Sequence, residues 1–101
     1  MPGRIADATL LAGNDASVRV VTLQAGEVSP WHYHTNLVSE HVVALDPGLT
    51  LEQRRPDEML ELAPGAIVKV RCQAPHRLVN QGALSARYLL IQRGSYDFIR
   101  C

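Results

Sequence analysis

Residues 17–24 read Ser17-Val18-Arg19-Val20-Val21-Thr22-Leu23-Gln24, and this stretch decides the fold class. In an extended chain successive side chains alternate between faces. Val18, Val20 and Thr22 then share one face, and Arg19, Val21 and Leu23 the other. Branched and apolar residues on both faces suit a pleated surface better than a helix. Turn signals bracket the run: Gly13-Asn14-Asp15 before it and Ala25-Gly26-Glu27 after it. The same punctuation continues at Asp46-Pro47-Gly48, Arg55-Pro56-Asp57, Ala63-Pro64-Gly65 and Asn80-Gln81-Gly82. Between these turns lie further short runs: His41 to Leu45, Leu49 to Gln53, Met59 to Leu62, Ile67 to Val70, His76 to Val79 and Ala86 to Gln92. No window sustains an amphipathic helix. Short strands at this spacing predict an all-β protein, an antiparallel sandwich or small barrel, in one domain over residues 1–101.

Composition narrows the function classes. Of 101 residues 47% are hydrophobic and 20% charged, which fits a folded chain rather than a disordered one. Ten basic residues balance ten acidic ones, so no electrostatic footprint points to nucleic acid or to an anionic membrane. Met1 to Leu10 carries no apolar run suited to a signal peptide, and no segment approaches a membrane span. Cys72 and Cys101 are too few for a disulfide framework, so a cytoplasmic setting is expected. There is no GxSxG elbow, no phosphate-binding loop and no dinucleotide fingerprint. A chain this short buries little surface, so a metal, a homodimer interface or both should supplement the core.

The histidines carry the chemistry. His32 and His34 sit two apart in Pro30-Trp31-His32-Tyr33-His34, which on an extended segment puts both imidazoles on one face. Glu40 follows on the next run, and His76 opens a later one after Ala74-Pro75. Three imidazoles and a carboxylate are the ligand set for a divalent transition metal (Fe, Mn, Ni, Cu or Zn) in an open site. As bland alternatives, His32 and His34 are hydrogen-bonded loop histidines, Cys72 is a small buried filler, and Asn80 caps the turn at Gln81-Gly82.

Here the chain resembles the cupin superfamily. The first cupin motif corresponds to Gly26, Glu27-Val28-Ser29-Pro30-Trp31, His32-Tyr33-His34, a five-residue loop, Glu40 and Gly48, spanning about 26–48. The second, about 64–80, corresponds to Pro64-Gly65 and then Pro75-His76-Arg77-Leu78-Val79-Asn80. The loop before Glu40 is one residue longer than the motif, and seven rather than six residues separate Glu40 from Gly48. A one-residue slip would bring His41 inward in place of Glu40.

The resemblance implies a double-stranded antiparallel β-barrel, or jelly roll. It implies His32, His34, Glu40 and His76 as metal ligands, with iron or zinc foremost, and Glu40 as a proton-moving catalytic group if it is not a ligand. Inward positions after the ligands would be Val42, Ala44, Leu78 and Asn80, giving a narrow and mostly apolar cavity. Either Arg87 or Tyr88 should face it. The expected function is a metal-dependent enzyme, dioxygenase-like or isomerase/lyase-like, on a small apolar or aromatic molecule. The alternative is a non-catalytic cupin that binds a small ligand or serves as a dimeric scaffold. Val43, Leu45, Trp31 and Thr9 to Ala12 are the candidate dimer surface.

Overall fold

The structure, a computed structural model, describes residues 6–101. Residues 1–5, part of the predicted domain and of the stretch read for a signal peptide, lie outside it. Ten strands follow in order: β1 (Ala6–Ala12), β2 (Ala16–Leu23), β3 (His32–Tyr33), β4 (Leu37–Ala44), β5 (Leu49–Gln53), β6 (Glu58–Leu62), β7 (Ile67–Val70), β8 (His76–Asn80), β9 (Ala86–Gly94) and β10 (Ile99–Arg100). No helix long and apolar enough to cross a membrane occurs among the described residues. The run that opened the sequence reading is β2, bounded by the two turns expected for it.

The strands form two five-stranded antiparallel sheets, ordered β1-β2-β9-β4-β7 and β10-β3-β8-β5-β6. They face each other as a jelly roll without closing into a continuous barrel. Alternation decides what points inward. In β2 the buried side chains are Val21 and Leu23; in β4 they are Leu37, Glu40, Val42 and Ala44. Tyr88 of β9 is 4% exposed while its neighbour Arg87 is exposed, holding Asp46 through its Nε at 2.8 Å. That settles which of the two faces inward.

The space between the sheets is graded. Its middle and one end hold Val21, Leu23, Val42, Ala44, Leu49, Leu51, Leu62, Leu78 and Ala86 in one apolar cluster. Each buried Leu or Val there contributes about 1.5–3 kcal/mol. At the other end the same strands turn polar: Arg19, Glu40, Gln53, His76 and Gln92 continue the inward rows. The apolar end holds the sheets together, and the polar end is left for chemistry.

Candidate metal centre

His32 and His76 are direct cross-strand partners on β3 and β8, which brings residues 44 apart in sequence side by side. His34 lies just beyond β3 and is 1% exposed. One ring nitrogen from each of the three lies within 4.8 Å of the other two. The opposite nitrogen is engaged in every case. His32 Nδ1 donates to the Pro30 carbonyl at 2.7 Å, His76 Nδ1 to the Ala74 carbonyl at 2.9 Å, and His34 Nδ1 to the Asp97 carbonyl. Each bond places the proton on Nδ1 and leaves the Nε2 lone pair free, the tautomer a metal ligand needs. Asp97 also clamps the loop after His34. Its carboxylate accepts from Thr35 N at 2.8 Å, Thr35 Oγ1 at 2.7 Å and Asn36 N at 2.9 Å.

Glu40 enters from the facing sheet. Its Oε1 lies 3.0 Å from His76 Nε2 and its Oε2 3.4 Å from His34 Nε2. The longer loop before it is absorbed in the β4–β9 pairing, where the register shifts between Leu37 and Ser39. Val38 is the surplus residue and is 70% exposed. The bulge forms against Gly94, whose φ of 102° only glycine adopts without strain, and a Cβ there would meet Val38 N at 2.7 Å. After the bulge, alternation resumes with Glu40 inward and His41 outward, flanked by Lys69 and Ile91 on the outer face. The slip that would have exchanged them does not occur.

The electrostatics fit this arrangement. Burial alone would raise the Glu40 carboxyl; when His34 and His76 carry a second proton on Nε2, their imidazolium rings outweigh it and hold the group well below the usual carboxylate range. Burial pushes His32 down to about 4. Burial acts the same way on His34, but the Glu40 carboxylate and the Asp97 carbonyl outweigh it and the net direction is upward. His34 Nε2, His76 Nε2 and Glu40 Oε1 are all buried without a hydrogen-bond partner among the described residues. Unpaired buried polar atoms are costly. Three of them converge on one spot, and His32, His34 and His76 are placed so that they could hold a metal ion; such a donor set fits a divalent transition metal.

A family model described as Cupin domain matches residues 19–92. The chain belongs to the cupin family. Among solved structures, this cupin is similar to a protein from Thermus thermophilus, at 20% identity and a TM-score of 0.78, covering 93% of this chain and 87% of that one. It is also similar to an uncharacterized conserved Klebsiella pneumoniae protein with a double-stranded β-helix domain, at 17% identity and 0.82, covering 100% and 82%. A third is a recombinant oxalate oxidase in complex with glycolate, at 14% identity and 0.83, where this cupin spans 99% of its own length and 56% of that chain. At these identities the likeness is one of fold. No protein of curated function matches this cupin in sequence.

The centre opens into a cavity of about 270 Å³. The expected inward residue Val42 lines it, with Val21, Leu51, Leu78 and Leu90. Ala44 and Asn80 are buried deeper, and Asn80 does more than cap its turn. Sequence reasoning did not single out Arg19, Gln92, Ser29, Tyr96 or Phe98, all of which line the same space. A signal was available for Arg19: it is the one charged residue on the inner face of β2, which it shares with Ser17, Val21 and Leu23. Phe98 stacks on His32, ring centroids 4.4 Å apart, and is placed by a tail whose path the local pattern does not reveal. Trp31 faces away from the cavity beneath the guanidinium groups of Arg54 and Arg77, at 4.3 and 4.6 Å. Cys72 is a buried thiol that burial keeps protonated.

Proposed function

We propose that this cupin is a metal-dependent enzyme acting on a small, largely apolar molecule, with His32, His34, His76 and Glu40 holding the metal. The carrying observation is the convergence of unpartnered Nε2 and Oε1 atoms, with every Nδ1 tied to a backbone carbonyl. Iron or zinc suits such nitrogen and oxygen donors best. When bound, the ion supplies Lewis-acid polarisation of a substrate oxygen or, as iron, a centre for dioxygen chemistry. Glu40 Oε1, buried, unpartnered and beside His76 Nε2, is placed for a ligand role rather than for proton transfer.

The rest of the site belongs to the substrate. At about 270 Å³ the cavity falls just below the usual range of ~300–1,000 Å³ for ligand pockets, so the substrate is small. Val21, Val42, Leu51 and Leu90 hold its apolar part and exclude water. Tyr88, 4% exposed and pushed upward by burial, remains a neutral hydroxyl donor beside them. We place the enzyme in the cytoplasm as a homodimer. Both cysteines are free, and Ala8, Val20, Leu89, Val43 and Ile67 form an apolar row across the outer face of all five strands of one sheet. Sedimentation giving a monomer at micromolar concentration would remove the dimer.

Elemental analysis of protein purified without added metal, beside His32→Ala and His76→Ala, tests the central reading. Near-stoichiometric metal in the wild type, lost in both variants, is expected. Iron then directs the search to oxygen uptake with small apolar substrates. Zinc, manganese or nickel directs it to isomerase and lyase assays. No metal, and none taken up on titration, would overturn the ligand assignment and leave a binding module.

A further inference from the structure

The inward polar residues at the metal end of one sheet are not independent. Asp7, Arg19, Gln92 and Glu40 lie on β1, β2, β9 and β4, four strands in direct succession. Glu40 and Gln92 are opposed in the β4–β9 register. Arg19 pairs with Leu90, two residues from Gln92, so it reaches Gln92 diagonally. The side chains join into one chain of hydrogen bonds. Arg19 Nη1 donates to Asp7 Oδ2 at 3.1 Å, Arg19 Nη2 to Gln92 Oε1 at 3.1 Å, and Gln92 Nε2 to Glu40 Oε2 at 2.7 Å.

The chemistry of the end members orients the middle one. Arginine has only donors and an ionised carboxylate only acceptors. The amide between them must therefore turn its oxygen to Arg19 and its NH2 to Glu40. One Glu40 oxygen is then occupied by Gln92, while the other, Oε1, is buried, unpartnered and beside His76 Nε2.

We infer that Gln92 is a positioning residue that fixes the Glu40 carboxylate so that Oε1 alone is offered to the metal, with Arg19 setting the direction of the Gln92 amide. The inference rests on the metal site proposed above. It goes beyond that site by making Glu40 a one-oxygen ligand and by giving Arg19 and Gln92 a role in metal affinity without touching the ion. Partners that orient a ligand in this way are worth about 10–100-fold in metal affinity.

The test is metal affinity and the ligand-field spectrum of the Co(II)-loaded protein, measured by chelator competition and absorption. Gln92→Met keeps the length of the side chain and removes both hydrogen bonds. It should weaken Co(II) binding about 10–100-fold and shift the visible bands, with the circular dichroism of the metal-free protein unchanged. Gln92→Glu, a second variant should the first fail to fold, can still accept from Arg19 but cannot donate to Glu40, and should also weaken binding. In a Glu40→Gln background, Gln92→Met should change affinity less than about threefold, because the ligand it positions is already lost.

Wild-type affinity and spectrum in Gln92→Met, with His32→Ala abolishing binding, would overturn the inference and leave the metal site standing. So would an equal loss in the Glu40→Gln background. Failure of the wild type to bind Co(II) would remove the site itself, and the inference with it.

Discussion

Asn80 should be among the most costly side chains to remove at the end of the molecule away from the metal centre. It is 0% exposed. Its Nδ2 donates to the carbonyls of Leu23 at 3.0 Å, Gln24 at 3.2 Å and Leu84 at 2.8 Å, and its Oδ1 accepts from Gly82 N at 2.9 Å. Leu23 closes β2 in one sheet and Asn80 closes β8 in the other, so this amide bridges the two sheets. Two amide hydrogens serve three acceptors, one bond being shared. The whole set is worth about three hydrogen bonds of ~1 kcal/mol each. Asn80→Ala should therefore cost about 3 kcal/mol in urea unfolding of the metal-free protein, at unchanged m. For a domain of this size that is a fall in Tm of roughly 12–24 °C. Asn80→Asp sets a carboxylate against three carbonyls. It should cost more than Asn80→Ala at pH 7, with the difference shrinking as acid protonates it. A cost below about 1 kcal/mol for Asn80→Ala, or Asn80→Asp tolerated as well as Asn80→Ala at pH 7, would refute the bridging account.

Three further outcomes are expected. Gly94→Ala puts a Cβ 2.7 Å from Val38 N and 2.8 Å from Asn36 O at a φ of 102°. It should cost at least about 2 kcal/mol and weaken metal binding by moving Glu40; an unchanged urea midpoint would show that the bulge is not needed. In chelator-treated protein the unfolded chain protonates His32 near its ordinary 6.5 and the folded chain only near about 4. Its contribution to stability is thus present at neutral pH and is lost as pH falls through that window, so His32→Ala should flatten the urea midpoint between pH 7 and 4; an equally steep profile would contradict this. Metal at about a hundredfold excess over its Kd should add about 2.7 kcal/mol to the wild type and nothing to His76→Ala, read as a Tm shift on differential scanning; an equal rise in both would place the ion elsewhere.

Much of the architecture was legible because strands alternate with a strict period of two. The runs at Leu49 to Gln53 and Ile67 to Val70 match β5 and β7 at both ends. That Glu40, Val42 and Ala44 share one face, and His76 and Leu78 another, also followed from alternation. The two-residue strands β3 and β10 were not legible. Neither has a local pattern long enough to show a period: β3 is defined by its pairing with β8 and β10, and β10 by its pairing with β3.

The candidate site divides the same way. Residue type and spacing by themselves determined that His32 and His34 can share a face, since two-apart histidines on an extended segment do so whatever surrounds them; that His76 stands beside them depends on the β3–β8 pairing. Only the tertiary structure decided that Glu40 rather than His41 faces in, because that turns on a bulge opposite Gly94, 54 residues from Glu40 along the chain. It also decided that Tyr88 lines the cavity and that Arg19 and Gln92 stand behind Glu40. The local pattern states which residues can share a face. Which faces meet depends on the register between distant strands, and no short window of sequence contains that register.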